Sequence, residues 1–193
     1  MINKKEIIRQ QLIESSELKS KILLHMSDKI VTLSDVIVHA LQNGNKVMFC
    51  GNGGSAADSQ HLAGEFINRF RFDRAPLAGL ALTTDTSILT CIGNDSSFDY
   101  VFSKQILGLG NKGDILIAIS TSGNSKNILE ACSACKEKGV YIVGFTGESG
   151  GKIRDMVDLL INVPSKDTPR IQEGHMVIGH VMCDLVEQEM FKK

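Results

Sequence analysis

His61 and Glu65 stand four residues apart in a stretch of helical pattern, so both project from one helical face, with Arg69 continuing the line. An imidazole and a carboxylate so placed can act as acid and base or hold a metal ion. Taken alone, the pair reads equally well as a surface hydrogen bond. A second group of such side chains, Arg170, Gln172, Glu173, His175 and His180, lies near the C-terminus. Gln172 and His175 share a face, whereas His180 is rotated from Gln172 by about 80° on a regular helix. Spacing leaves open which histidine works with Gln172.

Two Gly- and Ser-rich loops supply a different chemistry. Gly51-Asn52-Gly53-Gly54-Ser55 follows the apolar run ending at Cys50 and opens a helical stretch. Ser120-Thr121-Ser122-Gly123-Asn124-Ser125 follows Ile115–Ile119 and opens another. Glycines let the backbone approach an anion, helix N-termini present unpaired N–H groups, and hydroxyls add donors. The second loop carries four hydroxyls in six residues and no cation, which suits a neutral-donor cradle for a monoester phosphate. Each loop alone is also readable as a capped turn. Neither is followed by Gly-Lys-Ser/Thr, which excludes a nucleotide P-loop. Gly51, Gly53 and Ala56 fit a dinucleotide fingerprint only weakly, because the next strand's acidic residue, Asp85, lies too far on.

The elements that must position these groups alternate. Val47–Cys50, Leu77–Thr83, Asp114–Ser120, Tyr141–Thr146 and Leu159–Val163 read as buried strands. Helical patterns fall near 55–70, 97–108, 125–138 and 169–191, the last with Thr168 as N-cap and Pro169 at its first position. Residues 4–42 are helical, with a break expected at the capping pair Ser34-Asp35. This pattern predicts an α/β three-layer sandwich with a five-stranded parallel sheet and an N-terminal helical extension. We expect one domain over 1–193: N-terminal helices over 1–42, then an α/β core and C-terminal helix over 43–193. Ile92-Gly93-Asn94-Asp95 reads as a turn whose Asn94 and Asp95 suit sugar hydroxyls.

Composition narrows the partners. Lys plus Arg is 21 against 22 for Asp plus Glu, a formal net charge of -1, which gives no electrostatic footprint for nucleic acid or an anionic membrane. No apolar run approaches the roughly 20 residues of a membrane span. The N-terminal residues carry charges where an export signal needs an apolar core, so a cytoplasmic protein is expected. Five cysteines make an odd count for a disulfide framework. Cys132 and Cys135 lie inside a helical run and read as helix packing; Cys50, Cys91 and Cys183 read as small buried hydrophobes. Aromatics are only 5% and Trp is absent, so a small phosphorylated polyol fits better than a flat heterocycle.

Four segments, CGNGGSAADSQHLAGEF, IGNDSSFDYVFSKQ, AISTSGNSKNILEA and TPRIQEGHMVIGHVMCDLVE, resemble in order the sugar isomerase (SIS) domain family, and within it the phosphoheptose isomerase branch. The resemblance spans essentially the whole chain. It implies homotetramers with shared active sites and isomerisation of sedoheptulose 7-phosphate to D-glycero-D-manno-heptose 7-phosphate for lipopolysaccharide or other surface glycans. By motif it assigns substrate contacts to Asn52, Gly53, Gly54, Glu65, Asn94, Asp95, Ser120, Thr121, Ser122, Ser125 and Gln172. It assigns one zinc ion per subunit to His61, Glu65, Gln172 and His180, and the acid/base pair to Glu65 and His180, thereby selecting His180 over His175. Pro169 stands where some members carry an acidic residue.

Two other classes bear on the same motifs. A non-catalytic SIS binding module resembles this chain but lacks equivalents of Glu65 and His180. A sugar-phosphate-sensing transcriptional regulator carries an attached DNA-binding domain, for which 193 residues leave no room.

Overall fold

Every residue of Val47–Gly51 and Ile115–Ile119 is buried, as strands covered on both faces require. The computed structural model describes residues 2–192. Among these, β1 Val47–Gly51, β2 Gly79–Ala81, β3 Ile115–Ile119, β4 Tyr141–Thr146 and β5 Leu159–Asn162 form one parallel sheet in the order β2-β1-β3-β4-β5. Phe49 of β1 stands opposite Ala81 of β2 and Ile117 of β3.

Strand alternation divides the core in two. Val47, Phe49, Ile115, Ile117 and Phe145 face a layer made of α1 Lys4–Gln42, α2 Gly54–Ile67 and α6 Thr168–Phe191. Met48, Cys50, Leu116, Ala118 and Ile142 face the opposite layer of α3 Thr86–Asp95, α4 Ser103–Leu109 and α5 Lys126–Lys138. The expected three-layer α/β sandwich is therefore present. The order β2-β1-β3 makes the chain reverse its winding at β1 and β3, so α2 and α5 leave these neighbouring strands toward opposite faces. The crevice at the strands' carboxyl ends is where open α/β sheets bind ligands.

Several local expectations need correction. The N-terminal region is one uninterrupted 39-residue helix rather than two. Ser34, expected to cap a break, is buried, and its hydroxyl donates to the Val31 carbonyl at 2.8 Å, so the helix's own backbone takes up its capping potential. The turn expected at 92–95 is the end of α3, whose N-cap Asp85 accepts from Ile88 N–H at 2.9 Å. The helix expected over 97–108 is a 3-10 turn, Phe98–Tyr100, followed by the short α4. Arg69 lies beyond the end of α2 and does not extend the His61–Glu65 line. Asp167, not Thr168, occupies the N-cap position of α6, without a side-chain capping bond. Cys91 is exposed, whereas Cys50, Cys132, Cys135 and Cys183 are buried; burial pushes the Cys132 thiol up to about 12, an inert packing group.

Candidate active site

Both phosphate-type loops sit at the reversal point, one after β1 and one after β3. They are tied directly together: Asn52 Nδ2 donates to Asn127 Oδ1 at 2.9 Å, and Asn127 Nδ2 returns a bond to Asn52 Oδ1 at 2.8 Å. In the second loop Ser120 Oγ meets Ser125 Oγ at 3.2 Å, and Asn124 Oδ1 accepts from Lys152 N–H at 3.1 Å. Gly123 has φ +65°, and a Cβ there would lie 2.1 Å from the Gly150 carbonyl oxygen, so the loop needs glycine to close against the turn after β4. Ser125 is the N-cap of α5, yet its side chain makes no capping bond. The first amides of α5 and this hydroxyl thus stay available to an anion. A cleft of about 410 Å³ opens over the loop, lined by Thr121, Ser122, Asn124, Gly147, Lys166 and Thr168. Lys166 pairs with Glu148 at 3.2 Å at this rim, bringing a cation that the loop itself lacks.

About two to three turns along α2 from the first loop, α2 and α6 converge. His61 Nε2 lies 3.2 Å from Glu65 Oε1 and 2.9 Å from His180 Nε2, and the ligand atoms of all three side chains lie within 4.8 Å of one another. The helices approach closely because Gly179 sits against Leu62, where a Cβ would come within 2.7 Å of its side chain. Burial, then His61, holds His180 below the usual histidine range, opposed by Glu65. The ring of Phe70 lies 5.5 Å from that of His180.

His175, left open as the alternative by spacing, points elsewhere. It is 1% exposed and its Nε2–H donates to the Thr146 carbonyl at 3.0 Å, a packing role beneath β4.

These donors suit a metal. Two imidazole nitrogens at 2.9 Å, with a carboxylate beside them, need a shared proton or a cation between their lone pairs. Two His and a carboxylate with one side open to solvent is a set that takes zinc. Asp58, one turn before His61, keeps Oδ2 buried without a partner. Burial pushes its carboxyl up to about 6 while His61 pulls it down. A carboxylate in that position suits a ligating histidine, which commonly gives its other N–H to such a group.

Gln172 is placed differently. A Cβ on Gly54 would lie 2.4 Å from Gln172 Nε2, so the carboxamide rests against the first loop, two turns before His180 on α6. Asn94 and Asp95 are exposed at the end of α3, with Asn94 Nδ2 donating to Asp95 Oδ1 at 2.8 Å. The structure therefore gathers His61, Glu65 and His180, and joins Asn52, Gly53 and Gly54 to the Ser120–Ser125 loop and Gln172. It does not tie Asn94 and Asp95 to either group. Asn127 and Asp58 were not singled out in the sequence. Asn127 lies just past a loop whose chemistry is carried by hydroxyls, and Asp58 lies one turn from His61, a spacing that marks it as a partner for that histidine.

Comparison with known proteins agrees with this geometry. The SIS domain profile matches residues 12–147. The phosphoheptose isomerase of Aneurinibacillus thermoaerophilus is 55% identical over 170 residues, 88% of this chain and 84% of that protein. That of Burkholderia pseudomallei (strain 1710b) is 52% identical over 187 residues, 97% and 93% of the two chains. Among solved structures, phosphoheptose isomerase GmhA from Neisseria gonorrhoeae superposes with a TM-score of 0.90 at 44% identity, covering 95% of this chain and 98% of that one. The Francisella tularensis phosphoheptose isomerase gives 0.94 at 35%, covering 97% and 100%. The chain belongs to the SIS domain family and, within it, to the phosphoheptose isomerases.

Proposed function

We propose that the chain interconverts sedoheptulose 7-phosphate and D-glycero-D-manno-heptose 7-phosphate, an aldose–ketose isomerisation supplying heptose to lipopolysaccharide or another surface glycan. The observation that carries this reading is the convergence of Glu65 and His180, with Glu65 borne by the helix that opens at the first of two linked phosphate-type loops. Ser120, Thr121, Ser122 and Ser125 hold the phosphate, so that binding energy from the far end of the sugar positions its carbonyl end. Asn52, Gly53, Gly54 and Gln172 line the path between, and Asn94 and Asp95 contact the sugar from the end of α3. Glu65 takes a proton from C1 of the ketose and returns it to C2, through an enediol. His180 moves the proton between O1 and O2, or opens the sugar ring; the two roles are interchangeable on this geometry.

His61, Glu65 and His180 would hold one zinc ion, with Gln172 of the same helix as His180 as the fourth ligand. When bound, zinc would polarise the carbonyl and stabilise the developing negative charge. A carboxylate fully committed to metal would be a poorer base, so the metal and base roles of Glu65 compete.

Among the described residues no helix is long and apolar enough to cross a membrane. A cytoplasmic location fits a phosphorylated sugar substrate. Exposed apolar side chains along α1, with Leu23 70% and Leu24 75% exposed, support assembly into a homotetramer of single SIS domains.

The test is incubation of the zinc-loaded protein with sedoheptulose 7-phosphate, following loss of the ketose and identifying the aldose heptose phosphate. Absence of conversion would favour a binding module, the reading that presence of both Glu65 and His180 argues against.

A further inference from the structure

Arg74 and Glu187 form an ion pair of side chains 2% and 0% exposed, and neither belongs to the site as described so far. Arg74 Nε donates to Glu187 Oε2 at 3.0 Å. Its other nitrogens reach back to the end of α2: Nη2 to the Glu65 carbonyl at 2.8 Å and Nη1 to the Phe66 carbonyl at 2.7 Å. These are among the last carbonyls of a helix, which lack intrahelical partners, and the guanidinium caps them. On the other side, Glu187 accepts from the backbone N–H groups of Phe70 at 2.7 Å, Arg71 at 2.6 Å and Phe72 at 3.3 Å. Phe70 is the residue whose ring lies against His180. The Phe191 ring closes over the guanidinium at 5.6 Å.

We infer that the buried Arg74–Glu187 pair is the positioning device of the site, joining the backbone of Glu65 through Arg74 to the ring of His180 through Glu187 and Phe70. Glu187 lies seven residues after His180, hence two turns along nearly the same face of α6. The pair therefore ties the end of α2 to α6 two turns beyond His180, next to the level where the proton carriers meet. A buried ion pair is a poor device for stability alone, since desolvation offsets most of its attraction. Its geometric precision is what a site requiring fixed side chains would use. Arg is needed rather than Lys because only its planar fork can span two carbonyls and a carboxylate at once.

The inference rests on the isomerase reading, and the test separates the two. Arg74→Lys keeps the charge pair but cannot bridge the Glu65 and Phe66 carbonyls. It is expected to lower kcat and zinc affinity by roughly 10–100-fold, with KM for the phosphosugar unchanged because both phosphate loops lie outside the linkage. Val186→Ala, a buried cavity on the same helix, serves as the control and should lower Tm without changing kcat. Wild-type kcat in Arg74→Lys, or an equal loss of kcat in Val186→Ala, overturns the inference. Should Arg74→Lys not fold, Phe70→Leu is read instead: it keeps the backbone bond to Glu187 and removes the ring from His180. Lower kcat at constant KM supports the linkage and unchanged kcat overturns it. Zinc affinity, measured by competition with a chromogenic chelator, needs no substrate. If the wild type leaves sedoheptulose 7-phosphate untouched, the isomerase reading falls while the zinc measurement still decides this one.

Discussion

His175 and His180 lie on the same helix five residues apart and have opposite roles because of what surrounds them. His175 is neutral in the fold: burial pushes it down to about 4, outweighing the bond to Thr146, and its Nδ1 is buried without a partner. The unfolded chain therefore takes up a proton first as pH falls below the ordinary histidine value of 6.5, and stability drops until about pH 4. A shift of this size corresponds to about 3 kcal/mol at most. Asp58 opposes it, since a carboxyl raised to about 6 contributes stability below its unfolded value and loses it as pH rises. The difference between wild type and His175→Gln isolates the histidine. Urea midpoints at pH 7.5 and 4.5 should fall further in the wild type than in the variant; parallel acid losses would contradict the assignment. Spacing could not choose between the two histidines, because the choice depends on β4 packing over one of them.

At the scale of elements, the site depends on how loops are closed. Gly123→Ala places a Cβ against the Gly150 carbonyl at a backbone angle that costs an L-residue about 1–2 kcal/mol, before the clash is relieved. We expect Tm to fall by several degrees and KM for the phosphosugar to rise, measured by thermal unfolding and initial rates; an unchanged KM would remove this loop from phosphate binding. Asn127→Ala leaves the Asn52 carboxamide without its reciprocal partner, at a cost of about 1–3 kcal/mol if water does not replace it. Denaturant titration that shows no loss would mean the loops are not coupled through this pair. The strands were legible because buried parallel strands are written as continuous apolar runs, and β4 has its expected bounds, Tyr141–Thr146. The continuity of α1 was not, since whether Ser34 ends a helix or bonds within it is decided by burial. Nor was α3, whose short Thr-rich and Gly-containing sequence has weak helical character and gains its order from Ile92 packing under the sheet.

For the whole molecule, the two phosphate-type loops and the His61–Glu65 spacing could be read in advance because each is local. The Arg74–Glu187 linkage could not, since 113 residues separate its ends. The exposed face of α1 bears on the proposed assembly. Ile8, Leu12, Leu23, Leu24 and Val31 are each more than half exposed along α1, a stripe that water disfavours. If α1 carries the interface of the proposed tetramer, Leu23→Asp combined with Leu24→Asp should give smaller species than the wild type in light scattering after size exclusion; unchanged assembly would place the interface elsewhere. Above all, Glu65 is proposed to move a proton for a substrate held mainly by other residues. The most direct measurement is single-turnover and steady-state conversion of sedoheptulose 7-phosphate by Glu65→Gln, together with calorimetric binding of the same sugar. Conversion reduced by at least about 1,000-fold with binding retained is the result predicted. Turnover near that of the wild type would contradict it.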